Sequence, residues 1–106
     1  MPKYMFVGGY TAEGARGVLK EGGSGRRKAV EQVIGSLGGT VEAYYFAFGS
    51  DDFYVLADLP DNAAAAAGSM TVAASGAIGL RTVVLLTPEE IDDAAGRSAQ
   101  YRAPGG

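Results

Sequence analysis

Among its 106 residues the chain has no histidine and no cysteine. Without cysteine there is no disulfide, no thiolate nucleophile and no zinc–thiolate centre. Without histidine the commonest general base and the commonest metal ligand are missing, and with them every Ser-His-Asp or Cys-His arrangement. Positive charge is also scarce. Nine Lys and Arg stand against twelve Asp and Glu, leaving a formal net charge of −3. No basic stripe is available to neutralise phosphates, which argues against a nucleic-acid partner. The one basic trio, Arg26-Arg27-Lys28, reads as a solvated helix face. No apolar run approaches the ~20 residues that a membrane-spanning helix needs, and no leader pattern opens the chain. The expectation is a cytoplasmic, bacterial-type protein that binds neither nucleic acid nor membrane.

What remains is a globular composition, 47% hydrophobic and 20% charged, in a length that suits one domain. That domain is expected over residues 1–101, with 102–106 as a tail. Its centre is Thr40 to Leu59, two apolar strands joined by a tight turn at Gly49-Ser50-Asp51-Asp52. Strict alternation puts Val41, Ala43, Tyr45 and Ala47 on one face of the first strand. Glu42, Tyr44, Phe46 and Phe48 then take the other. The second strand, Phe53 to Leu59, is apolar on both faces as well.

Around this hairpin the other elements fall in order. Lys3 to Gly9 reads as a strand. Thr11 is a candidate N-cap for a short helix that Gly14 and Gly17 weaken. Gly22-Gly23 interrupts, and a second helix, capped by Ser24, carries Val30, Val33, Ile34 and Leu37 at helical spacing up to a left-handed stop at Gly38-Gly39. Asp61 is placed to cap an alanine-rich helix from Asn62 to about Ser75. Leu80 to Leu86 is a fourth strand, and Thr87-Pro88-Glu89-Glu90 is a capping box that opens a last helix running to about Gln100.

Strand, helix pair, strand, strand, helix, strand, helix is the split β-α-β order of the ferredoxin-like α+β fold with one extra helix. It predicts an antiparallel four-stranded sheet in the order 4-1-3-2, with helices on one face. Whichever face the helices take, large apolar side chains of the middle strands are left on the other, and such a patch marks an interface. Burying ~500 Å² of it per protomer contributes roughly 12 kcal/mol before the costs of association. The expected partner is therefore a second copy of the chain, packed sheet to sheet.

Several stretches resemble one family: YTAEG, the glycine-interrupted helix pair, YYFAFG, the ADLPD turn and LLTPEE are similar to the GYD-domain family of small bacterial proteins. The similarity covers nearly the whole chain and implies the dimeric α+β barrel architecture. Gly49 and Asp52 match the motif behind the family name, whereas the tyrosine expected before that aspartate is Asp51 here. The resemblance implies a fold and supplies no mechanism.

Barrels of this kind hold ligands between a protomer's sheet and its helices, so the candidates are residues that can reach such a space. Asp52 either acts as a general base, with Tyr54 as its acid–base partner, or closes the hairpin turn by bonding backbone amides. Tyr10, Tyr44 and Tyr45 either donate hydrogen bonds to a ligand or serve as core and interface aromatics. Arg81 pairs either with a ligand carboxylate or with an acidic group at the dimer surface. Asp58 is expected to bond the turn before the alanine-rich helix. No cofactor is expected. Gly22-Gly23-Ser24-Gly25 lacks the phosphate-loop pattern, haem would have no histidine, and no carboxylates have metal-loop spacing. Three functions fit: a binding module for a small, largely apolar or aromatic molecule, a cofactor-independent enzyme of monooxygenase or isomerase type, or a structural dimer without ligand.

Overall fold

A computed structural model describes the whole chain, residues 1–106. Four strands, β1 (Lys3–Tyr10), β2 (Thr40–Phe46), β3 (Phe53–Asp58) and β4 (Ile78–Leu85), form one sheet in the order β2-β3-β1-β4. Every pairing in it is antiparallel. Read from the other edge this is the order 4-1-3-2, so the ferredoxin-like α+β arrangement inferred from the sequence is the observed one. Three helices complete it: α1 (Ala12–Ser36), α2 (Asn62–Ala74) and α3 (Pro88–Ala95). No helix is long and apolar enough to cross a membrane.

The cap signals are realised where side chains meet orphan amides. Thr11 accepts from the Gly14 amide, Asp61 from the Ala64 amide, and Thr87 and Glu90 complete a reciprocal capping box. The first crossover is indeed split. Gly22, at φ 77° and ψ 172°, breaks α1 into two helical pieces, a conformation open to a residue without Cβ. Ser24 is not the cap, because the second piece resumes directly after Gly22 and the Ser24 side chain makes no hydrogen bond. At the far end the Gly38 amide bonds the Gly35 carbonyl and the Gly39 amide the Ile34 carbonyl, a Schellman stop.

One residue corrects the reading of the sheet faces. Val41 pairs with Ala57 and Ala43 with Leu56, so Glu42 is an extra residue, a β-bulge. The bulge shifts the alternation by one. Val41 therefore shares the helix-covered face with Tyr44 and Phe46, and Ala43 and Tyr45 turn outward. The helix-covered face closes the core around Tyr4, Phe6, Phe53, Val55 and Ala57, with Ile34 of α1, Ala65 of α2 and Leu59 packed on it. The outer face carries Met5, Leu56, Val83 and Leu85, all half-buried, and Val7, which its strand neighbours bury fully; no helix covers it. Glu42 and Asp58 both accept from Lys3 Nζ, at 2.6 and 3.0 Å. Asp58 thus ties β3 to β1, and the cap of α2 falls to Asp61 alone.

Three ends differ from the sequence reading by two residues or more. β2 stops at Phe46 and not Phe48, since the turn begins where Ala47 donates to the Asp52 carbonyl. β4 starts at Ile78, ahead of Leu80, because Tyr10 and Gly9 of β1 offer it ladder partners. α3 ends at Ala95 and not near Gln100, as it buries no residue against the rest of the chain. With nothing packed on it, a helix has only local propensity to extend it. α3 and the residues after it stand off the sheet and stretch the molecule to 56 × 33 × 23 Å. The radius of gyration is 16.9 Å, against about 13 Å for a compact chain of this length.

Leu59 is fully buried beneath the helix-covered face. Leu59→Ala is expected to cost about 2–5 kcal/mol, read as a lower urea midpoint at unchanged slope.

Candidate functional site

The apolar stripe of the second half of α1 begins one turn earlier than the valines suggest. Arg26 stands four residues before Val30, so it lies on the inward face with Val30, Val33 and Ile34. The trio Arg26-Arg27-Lys28 is therefore split: Arg27 and Lys28 are exposed, while the Arg26 side chain is only 20% exposed. It lines a cavity between α1, α2 and the sheet whose other walls include Tyr44, Phe53, Val72 and Leu80. The small residues of α2, Gly68 and Ser69 among them, leave this space open. The cavity holds about 50 Å³, room for one or two waters at roughly 30 Å³ each.

Tyr44 is the polar centre. Its ring lies 5.2 Å from that of Phe46 and 6.5 Å from that of Phe53. Its hydroxyl lies 3.2 Å from that of Tyr10. Burial, then the bond with Tyr10, pushes the Tyr44 phenol well above the usual phenol range, and the nearby Arg26 charge pulls it partly back. For Arg26 itself burial works against the charge, but the two phenols outweigh it and the net shift is upward. The guanidinium has one hydrogen bond, from Nη1 to Glu21 Oε1 at 3.4 Å. Its Nε is the only buried side-chain nitrogen or oxygen in the chain without a partner.

Tyr44 is also a wall of a second space. On its other side lies a hollow of about 260 Å³ lined by Gly23, Ser24, Arg27, Tyr44 and Phe46. The hollow opens at the Gly22 break, so the glycine-rich stretch that interrupts α1 forms one rim of the site.

The six residues singled out in the sequence fall into three places. Tyr10 and Tyr44 meet at this site. Tyr45, Tyr54 and Arg81 point the other way: Tyr45 pairs with Tyr54, and Tyr54 and Arg81 flank Val7 on the outer sheet face. Arg81 there lies 3.7 Å from Asp51, a weak pair whose arginine is largely exposed. Asp52 sits in the turn. Its carboxylate accepts the Tyr10 amide at 2.9 Å and its own amide donates to the Gly8 carbonyl at 2.7 Å. Asp52 therefore fixes the end of β1 from which Tyr10 reaches Tyr44, and no hydrogen bond joins it to Tyr54. The sequence reading missed Arg26. The signal was its spacing from Val30, hidden by the two cations that follow it. No group of three or more Asp or Glu side chains comes together to hold a metal ion.

Compared with known proteins, residues 4–95 match the family model described as GYD domain. No curated protein and no solved structure matches the chain.

The raised Tyr44 value gives a pH signature. An ordinary phenol titrates near 10.0, and the folded state holds the Tyr44 proton beyond that. The stability linked to it is fully present below pH ~10 and is lost as pH rises toward the folded value, because the unfolded chain releases its proton first. An ultraviolet phenolate titration should show a late step from Tyr44. Tyr44→Phe should remove that step and flatten the fall of the urea midpoint in alkali.

Proposed function

Because the chain belongs to the GYD-domain family, a membership that carries a fold and names no reaction, we propose that it is a homodimeric binding module for a small, largely apolar or aromatic molecule. The ligand lies between sheet and helices, against Tyr44. The observation that carries this reading is the position of Tyr44 between two spaces. The inner cavity alone is too small for a ring. With Tyr44 turned aside it joins the outer hollow, and together they match the lower end of small-molecule sites, roughly 300 Å³. Aromatic rings on three strands and a few convergent polar groups are the usual lining of such sites. The acid–base reading of Asp52 and Tyr54 lacks a comparable space. Asp52 is engaged with the backbone, and Tyr54 stands on the outer face, 38% exposed.

The homodimer is supported by two features of the fold. The outer face carries apolar side chains from all four strands without a helix to cover them. α3 is eight residues long and half-exposes Ile91, with Leu86 just before it exposed as well. A helix this short is marginal in water on its own. A second copy packed on the outer face would shield the strands and lie within reach of α3.

Leu56 stands on the outer face at the centre of β3. Leu56→Glu is expected to turn the dimer into a folded monomer, seen as halved mass in native mass spectrometry with an unchanged far-ultraviolet spectrum. A wild-type monomer would remove the assembly from this reading. For the site, a panel of small aromatic compounds is expected to raise the melting temperature in proportion to the logarithm of concentration. Tyr44→Trp, which fills the shared wall, should abolish the shift. No shift across the panel would leave a structural dimer as the function.

A further inference from the structure

The ligand-site reading leaves Arg26 unexplained. A guanidinium carries five donors in a rigid fork, and buried polar groups nearly always find partners. Here one donor is engaged in a long salt bridge to Glu21, whose side chain is 41% exposed on the far side of the Gly22 break. The phenol oxygens of Tyr10 and Tyr44 lie near enough to favour the charge, yet no carboxylate meets the guanidinium on the cavity side. Nε faces the protein interior with nothing to bond. The neighbours toward the cavity are apolar or carry only a hydroxyl: Val30, Ile34, Phe53, Tyr44 and Ser69. No carboxylate lines either space. A charge kept in such surroundings is costly unless an anion meets it. If the position needed only packing, a methionine or leucine would continue the stripe of Val30 and Ile34 without that cost.

We propose that the molecule bound here is a carboxylic acid, its carboxylate paired with Arg26 and its apolar body against the rings of Tyr44 and Phe46. The proposal rests on the reading of the cavity and hollow as a ligand site and adds the chemical class. Arg26 is the anchor. Tyr10 and Tyr44 are the hydroxyls next to it, able to donate to the same carboxylate or to a carbonyl one bond away. The way in is the hollow beside Gly23 and Ser24, where the break in α1 removes side chains from the rim. Arg27, lining the outer hollow, adds positive potential along that path. A neutral amide of the same shape would place an NH₂ against the guanidinium, donor against donor, and lose the pairing.

The test uses matched probes: benzoate with benzamide, and 3-phenylpropionate with 3-phenylpropionamide. Binding to the full chain is measured by NMR chemical-shift titration at constant ionic strength. The acids are expected to bind roughly 10- to 100-fold more tightly than their amides, the range for a charge-assisted pair. Arg26→Gln should erase that ratio, while Lys28→Gln, an exposed neighbour on the same helix, should preserve it. Should Arg26→Gln fail to fold, Arg26→Met keeps the stem's packing and tests the same point. Equal binding of acids and amides to the wild type would overturn the acid and leave the ligand site standing. A ratio that survives the loss of Arg26 would overturn the anchor. No binding of any probe would overturn the site reading and the proposal together.

Discussion

Tyr4, Phe6, Val55 and Ala57 meet where β1 and β3 pair at the centre of the sheet, and all are buried. Everything else is arranged over that ladder. α1 and α2 lay their small and branched residues on it, the caps at Thr11 and Asp61 set where each helix starts, and Leu59 seals one end. The chain has helices for one face only. The opposite face of the same strands carries apolar side chains as well, beside Lys3, Asp58 and Arg81, and α3, the one helix left over, buries no residue against it. A sheet with two apolar faces and one cover is the constraint from which the assembly reading follows.

A single extra residue decides which aromatic side chains serve which face. Without the bulge at Glu42, β2 would turn Tyr44 and Phe46 away from Val41, and the core and the cavity could not both be built from one strand. The bulged residue keeps a task. Its carboxylate holds Lys3, which also grips Asp58, so the edge of the sheet is pinned where its ladder is irregular. Asp52 has a comparable effect at the other end. By holding the Tyr10 amide it sets the distance between the two phenols, and a turn residue thereby shapes the site without facing it.

The glycines of α1 weaken it as a helix and define it as a wall. Gly22 breaks the axis, opens the hollow beside Tyr44 and restarts the helix in the phase that brings Arg26 inward with Val30. Helix continuity is given up for a rim that begins with the small residues Gly23 and Ser24, next to the one charged group that reaches the interior. Local rule-breaking of this kind, consistent elsewhere in the chain, is where function is usually found.

By itself the sequence determined the elements, their order and the caps at Thr11, Asp61 and Thr87. These depend on neighbours within a few residues: Thr87 with Glu90, Asp61 with the Ala64 amide, Gly38 after Leu37. It also determined that apolar strand residues exceed what the helices can bury, since that is a matter of count and period. Only the tertiary structure decided which residues share a space. The bulge at Glu42 cannot be read from alternation, because either phase of TVEAYYF is apolar enough to be buried. The inward turn of Arg26 depends on where the helix restarts after Gly22, and the meeting of Tyr10 with Tyr44 depends on a carboxylate forty-two residues away in sequence. Long-range register and helix phase set these contacts, and neither is carried by any local pattern.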